Sequence, residues 1–168
     1  MNNSSLNPLW SNLFRPKDDQ TTEITKLWMA SPLFDNIPEK TCRQLVERMH
    51  LRTYETGEVV FKAGQRGAGA VMIRNGSVSI RAGDEELAQL ERGDFFGETA
   101  LVANELRTAT VIALTKTELV FFLQTDLSDW MDYSPKHGAK LIINLARILA
   151  ARLRERNLQF EELTHNAQ

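Results

Sequence analysis

Apolar positions fall into three regimes along the chain. From Thr21 to Met49 they recur every three or four residues. From Val59 to Phe122 they sit in short runs or alternate, and from Gly138 onward they return to helical spacing. Period 3.6 buries one face of a helix and period 2 buries one face of a strand, so the pattern predicts helices, then strands, then a helix. A short helix is expected over 21–30, ended by Ser31-Pro32. Pro38 suits a first helical turn, with Glu39 at the positive end of the dipole. Cys42, Leu45, Val46 and Met49 then mark a buried face, Cys42 as a small hydrophobe and His50 as the closing residue.

Strands are predicted at Val59–Phe61, Val71–Ile73, Val78–Ile80, Leu87–Leu90, Ala109–Leu114 and Glu118–Phe122, with a turn at Thr115-Lys116-Thr117. Eight of the nine glycines lie between Gly57 and Gly97, and four of the five prolines precede residue 39. Dense glycine marks tight turns, because glycine takes positive φ without steric cost. Asn75-Gly76 is a two-residue hairpin signal, and Gly64, Gly67 and Gly69 read as hairpin glycines with no helix start behind them. Short strands with such turns argue a sandwich or barrel. A helix follows from Asp126 to Met131, capped by Thr125 or Asp126. One long helix then runs from Gly138 to about Leu163, with a stripe at Ile142, Ala146, Leu149, Leu153, Phe160 and Leu163, widened by Leu141, Leu145 and Ile148. That stripe exceeds what a small β domain covers, so its far half is expected to meet a partner helix.

The 168 residues fit one domain, or one domain with an appendage. Residues 1–20 read as an extension in which Leu6, Leu9, Trp10, Leu13 and Phe14 allow one amphipathic turn. Residues 21–135 form the main unit and 136–168 the exit helix with its tail. A net charge of −2 removes the global electrostatic argument for a nucleic-acid binder. From Pro135 on, six Lys and Arg against three Glu give a local +3, which a solvated helix face explains, so DNA is not an expected partner. One cysteine permits no disulfide framework, and no Cys-plus-His spacing suggests a metal site. No apolar run is long enough to span a membrane and the first twenty residues hold no secretory core, so a cytoplasmic protein is expected. His50, His137 and His165 make no catalytic spacing, and no Walker loop occurs, so no enzyme is expected.

The informative stretch runs from Asp94 to Val111. A glycine, Gly97, precedes a helix-compatible run, Glu98 to Leu101. Free N–H groups at such a turn converge on an anion. Arg107 returns at the start of a strand to supply a forked positive charge. Glu98 beside an anion makes sense if the ligand also carries a hydroxyl, which points to a nucleotide or sugar phosphate. Taken singly, Glu98 and Arg107 would read as an exposed ion pair worth about 1 kcal/mol at most.

Phe96-Gly97-Glu98-Thr99-Ala100-Leu101, followed by Arg107-Thr108-Ala109-Thr110-Val111, resembles the phosphate-binding cassette of cyclic-nucleotide-binding domains, the modules of catabolite activators and of protein kinase A regulatory subunits. Ser31 to Pro38 is similar to the family's opening segment, and Gly57, Gly64, Gly67 and Gly76 to its turns, so the likeness covers roughly 31–155. It implies a mainly β fold with flanking helices: a β-roll, jelly-roll-like, of about eight strands, plus a long C-terminal helix acting as lid or dimer seam. It implies cyclic AMP or cyclic GMP as ligand, with no other cofactor. Arg107 would pair the cyclic phosphate, helped by the backbone N–H groups of Ala100 and neighbours such as Thr99, with Ala109 also counted among the ligand-binding residues. Glu98 would accept from the ribose 2′-hydroxyl, Gly97 would allow close approach, and Thr108 would offer a hydroxyl to the purine. Ala68 and Ala70 depart from the family pattern. The base contact on the exit helix stays open among Asn144, Arg147 and Arg152. No room remains for a helix-turn-helix reader. The expectation is therefore a stand-alone sensor, a homodimer through its last helix, that signals to a protein partner the sequence does not identify. The alternative is a ligand-independent dimeric scaffold.

Overall fold

The computed structural model describes Phe14 and residues 17–166, with side chains through Glu161. The amphipathic turn expected around Leu6, Leu9, Trp10 and Leu13 lies outside the described residues. Among the described residues four α-helices frame eight strands: α1 Asp18–Met29, α2 Glu39–Val46, β1 His50–Tyr54, β2 Val59–Phe61, β3 Gly69–Asn75, β4 Ser77–Ala82, β5 Glu85–Glu91, β6 Phe95–Phe96, β7 Thr110–Ala113, β8 Thr117–Leu123, α3 Gln124–Tyr133 and α4 Pro135–Asn166. Single 3-10 turns cover Pro32–Phe34 and Glu98–Leu101.

The strands form two antiparallel four-stranded sheets, ordered β1-β8-β3-β6 and β2-β7-β4-β5. This is the β-roll with flanking helices and a long last helix that the resemblance implies. β3 and β8 pair in the first sheet, while their continuations β4 and β7 pair in the second, so one antiparallel ribbon rolls from sheet to sheet. Asn75-Gly76 is therefore no hairpin turn. Gly76, at φ +82°, sits where the ribbon changes sheets, and a Cβ there would lie 2.5 Å from the Lys116 carbonyl oxygen. Thr115-Lys116 crosses at the same corner, where the Ser77 carbonyl accepts from Leu114 N–H at 2.9 Å and Thr117 Oγ1 at 3.0 Å. The tight hairpin is β4–β5, turned at Gly83-Asp84.

Strand alternation divides the apolar residues between two cores. Ala70, Met72, Val120 and Phe122 face the helices, whereas Val71, Ile73, Leu119 and Phe121 face the interior of the roll. Ile24 and Trp28 of α1, Cys42, Leu45 and Val46 of α2, Leu127 and Trp130 of α3, and Leu141, Leu145 and Ile148 of α4 close the helical core. Trp28 is its hub, with ring centres of Phe34, Phe95 and Phe122 at 5.7, 5.8 and 6.1 Å. Cys42 is buried as expected, and burial pushes its thiol up to about 12.

Three local expectations change. His50 opens β1 rather than closing a helix, and its Nδ1 lies 3.8 Å from Asp126 Oδ2. α3 starts two residues early, and Asp126 serves in its first turn by accepting the Leu123 N–H at 3.1 Å. Pro135 takes the first position of α4, so that helix begins before Gly138. Asn144 of α4 is buried and donates to the carbonyls of Leu33 and Asp35 at 3.0 and 2.9 Å, which pins the near half of α4 to the Pro32–Phe34 turn.

Candidate functional site

The site is built on the loop that leaves β6. Gly97 adopts φ +72°, a left-handed conformation that turns the chain straight from the strand into the Glu98–Leu101 turn. Ala100 N–H donates to the Gly97 carbonyl at 3.1 Å, while the Glu98 and Thr99 N–H groups open the turn with no backbone acceptor among the described residues. Ala100 and Leu101 are buried beneath it, and Thr99 faces outward. The loop that returns to β7 is tied back by Arg107 N–H to the Gln65 carbonyl at 2.7 Å and Gly64 N–H to the Arg107 carbonyl at 2.8 Å.

That anchorage aims the Arg107 side chain under the turn. Nη2 donates to the Gly69 carbonyl at 2.9 Å and Nη1 to the Gly97 carbonyl at 3.3 Å. The guanidinium carbon lies 4.2 Å from the centre of the Phe61 ring. Burial lowers the guanidinium to about 10, and the Glu98 carboxylate opposes that shift. Among the described residues no carboxylate reaches salt-bridge distance of Arg107. A half-buried cation held by two carbonyl dipoles and a ring face, beside open backbone N–H groups, has the chemistry to receive an anion.

Two glycines make room for Arg107 and the turn above it, and a third admits the neighbouring strand. A Cβ on Gly97 would lie 2.4 Å from Arg107 Nη1, and one on Gly67 would meet Ala100 Cβ at 2.7 Å and Arg107 Cζ at 3.3 Å. One on Gly69 would lie 2.0 Å from the Phe122 carbonyl oxygen. Gly67 and Gly69 are therefore close-approach residues under the cassette, not hairpin glycines, and of that trio Gly64 alone, at φ +84°, is a turn residue.

Glu98 is 5% exposed, and the ion pair that reaches it comes from the opposite wall. Arg152 of α4 places Nη1 2.5 Å from Glu98 Oε2, donates from Nη2 to the Phe95 carbonyl at 3.2 Å and lies over the Phe95 ring at 5.2 Å. Of the three side chains left open on the last helix, Asn144 is buried elsewhere, Arg147 is exposed, and Arg152 is the one that joins the site. Gly97, Glu98, Ala100 and Arg107 come together as the sequence suggests. Thr108 is exposed and Ala109 half-buried on the strand side. Phe61, Gly67 and Gly69 complete the arrangement without having been singled out for it.

Two clefts include neither Glu98 nor Arg107. One of about 580 Å³ is lined by Arg48, Asp126, Asp129 and Tyr133 among others, and one of about 400 Å³ by Leu101, Val102, Met131 and Ile142 among others. No group of His, Cys, Asp and Glu side chains that could hold a metal occurs among the described residues, and no described helix is long and apolar enough to cross a membrane.

Fold and site together define a β-roll that presents an anion-receiving cassette, and comparison with known proteins gives the family. The pattern of the cyclic nucleotide-binding domain matches residues 51–134, and the chain belongs to that family. A cAMP-dependent protein kinase regulatory subunit from Mycosarcoma maydis is 36% identical over 97 residues, covering 55% of this chain and 18% of that one. The crystal structure of the Thermus thermophilus catabolite activator protein superposes with a TM-score of 0.70 at 29% identity, over 80% of this chain and 63% of that one. A cyclic nucleotide-binding domain from Methylobacillus flagellatus shares the fold, with a TM-score of 0.73 at 23% identity, over 86% and 84% of the two chains. The chain thus spans less than two thirds of the kinase subunit and of the activator. The relatives matched include proteins named as a kinase regulatory subunit and as a cyclic AMP receptor protein.

Proposed function

We propose that this chain is a sensor in which a cyclic mononucleotide, cyclic AMP in the first instance, occupies the cassette and is reported through α4. The observation that carries the reading is Arg107, a half-buried cation whose hydrogen-bond and ring partners among the described residues are two carbonyls and Phe61, under a turn opened by Gly97. Arg107 pairs the cyclic phosphate, with the backbone of Thr99, Ala100 and Ala109 around it. Glu98 accepts the ribose 2′-hydroxyl, Gly97 admits the ligand to the backbone, and Thr108 lies at the rim on the base side. A carboxylate has about four acceptor sites, so Glu98 accepts from a hydroxyl and from Arg152 together. A ligand on Glu98 therefore acts on the contact that ties Arg152 to the cassette. It shifts α4 only as far as it binds one placement of that helix better than another.

The names of the relatives include cAMP-dependent and cGMP-dependent kinases, so the base is left to measurement. Calorimetric titration of the full chain with cyclic AMP and cyclic GMP at fixed salt is the test. Binding in the micromolar range or tighter, about −8 kcal/mol, supports the sensor and names the base. A second reading, a ligand-independent dimeric scaffold, draws on the exposed far half of α4, where Leu153, Leu158 and Phe160 are 62%, 55% and 68% exposed. No heat and no thermal shift with either nucleotide, in a stable dimer, selects it.

A further inference from the structure

Glu98 and Arg107 flank one residue of the cassette without pairing with each other. Arg107 Nη1 donates to the Gly97 carbonyl, and Glu98 follows Gly97 in the chain. No salt bridge joins the two, yet the charge of the carboxylate is felt at the guanidinium. Nη2 of Arg107 donates to the Gly69 carbonyl, and a guanidinium has more N–H donors than two carbonyls use. Glu98 is buried, and Arg152 takes its Oε2, which leaves Oε1 as an acceptor.

One small group can satisfy both residues, and each is costly to leave unmet away from water. It has to bring negative charge to Arg107 and a donated proton to Glu98. An oxyanion with two charges and no hydroxyl meets the first demand and is repelled by the carboxylate. A singly charged phosphate that keeps its hydroxyls meets both. Its bare oxygens accept from Arg107, and a P–OH donates to Glu98 in a charge-assisted hydrogen bond.

We propose that the cassette is a site for inorganic phosphate in its protonated, singly charged form, held between Arg107 and Glu98. The proton is what the site reads. Sulfate has the same size and shape, but at neutral pH it carries two charges and no hydroxyl, so it is rejected. Among the described residues the charged groups that face the site are Glu98 of the turn, Arg107 of the loop before β7 and Arg152 of α4. The described histidines pair elsewhere, His50 with Asp126 and His137 with Ser134. Phosphate affinity therefore falls as pH rises through the second ionisation of phosphate itself. A nucleotide in the cassette would meet the same two residues through its phosphate and its ribose, so phosphate and nucleotide exclude each other. This inference rests on the anion site of the proposed function, but its first arm contains no nucleotide, so the two readings fail separately.

The test uses the full chain at constant ionic strength, with inorganic phosphate and sulfate as the probes. Phosphorus NMR should show saturable broadening of the phosphate line, weakening as pH rises and lost in Arg107→Leu. Thermal midpoints compare the two anions. Both also stabilise by exclusion from the protein surface, and Arg107→Leu should retain only that part. Phosphate should bind about tenfold tighter than sulfate, the worth of one hydrogen bond to a charged group. Glu98→Gln should erase the preference, since its amide can donate to sulfate. In a second arm, phosphate should raise the apparent dissociation constant of cyclic AMP in proportion to its concentration, and sulfate should not. Broadening that persists in Arg107→Leu marks an adventitious ion only and overturns the proposal. So do equal affinities for phosphate and sulfate, a phosphate affinity that does not fall with pH, a preference that survives Glu98→Gln, or phosphate that binds without displacing a bound nucleotide. Bound phosphate with no binding of cyclic AMP or cyclic GMP upholds the site and overturns the sensor.

Discussion

Arg107 and Arg152 approach Glu98 from opposite walls, and their supports differ. The roll's arginine is anchored by its own backbone between Gly64 and Gln65, held by two carbonyls and backed by the Phe61 ring. The helix's arginine reaches in from a half-exposed position at the boundary between the packed and bare halves of α4, and its side chain is 43% exposed. One wall is a loop tied to the roll by backbone hydrogen bonds on both sides of Arg107. The other belongs to an element whose support ends where the contact is made. On the proposed reading such a receptor would recognise with the first wall and report with the second, because a group is freest to move where it is least tied down.

If that division is right, the largest loss comes from the rigid wall. Arg107→Leu removes the charge partner of a buried phosphate and should cost about 3–5 kcal/mol in nucleotide affinity, measured by calorimetry, with the far-ultraviolet circular dichroism of the fold retained. An affinity unchanged by this substitution would contradict the assignment of Arg107. Gly97→Ala comes next. It forces a left-handed φ on a residue with a Cβ and sets that atom 2.4 Å from Arg107 Nη1. A loss of about 1–3 kcal/mol is expected, and its appearance in affinity more than in urea stability would place the strain on Arg107 rather than on the sheet.

Arg152→Ala tests the mobile wall. Removing Arg152 leaves the buried Glu98 carboxylate without its ion pair, so stability should fall by about 1–3 kcal/mol while affinity should change less than for Arg107→Leu. The readout that separates the two walls is amide exchange along α4. In the wild type nucleotide should alter protection around Arg152, and in the variant that response should vanish while nucleotide still binds. Equal responses in both proteins would mean that α4 is driven by some other contact.

How much of this was legible beforehand follows from how local each signal is. β3 and β8 are packed on both faces and show as apolar runs. β1 was missed because Leu51 faces the helical core and Tyr54 the roll, with His50, Arg52 and Thr53 around them, so neither period appears. β6 is two residues long, Phe95 facing one core and Phe96 the other, and no pattern fits in two positions. Gly97, Glu98, Ala100 and Arg107 were legible because one loop carries them. Phe61 under Arg107, Gly69 against Phe122 and Arg152 on Glu98 are contacts between distant segments, and nothing near those residues in sequence announces them. Asn75-Gly76 misled for a related reason: the dipeptide fixes a bend, but which sheet the next strand joins is decided by the partners of β7 and β8.

The smallest effect concerns what keeps the rigid wall attached to the helices. Glu23 of α1 accepts from Arg74 Nε and Nη2 at 2.9 and 2.7 Å and pairs with Arg92 at 2.8 Å, while Arg74 also donates to Glu118 at 2.6 Å. Burial raises the Glu23 carboxyl, but the bonds and charges of Arg74 and Arg92 outweigh it and hold the group below its usual value. A carboxylate lowered in the folded state contributes stability above its unfolded value near 4.5, and that contribution is lost as pH falls through the folded value. Glu23→Gln should therefore be less stable than the wild type by about 1 kcal/mol at pH 7, discounted for partial exposure. Urea unfolding at a series of pH values should show the gap closing as pH drops below 4.5. Nucleotide affinity should stay where it was, since neither Arg74 nor Arg92 touches the cassette. A gap independent of pH would mean that Glu23 acts by packing rather than by charge, and a parallel loss of affinity would mean that the first wall borrows its rigidity from α1.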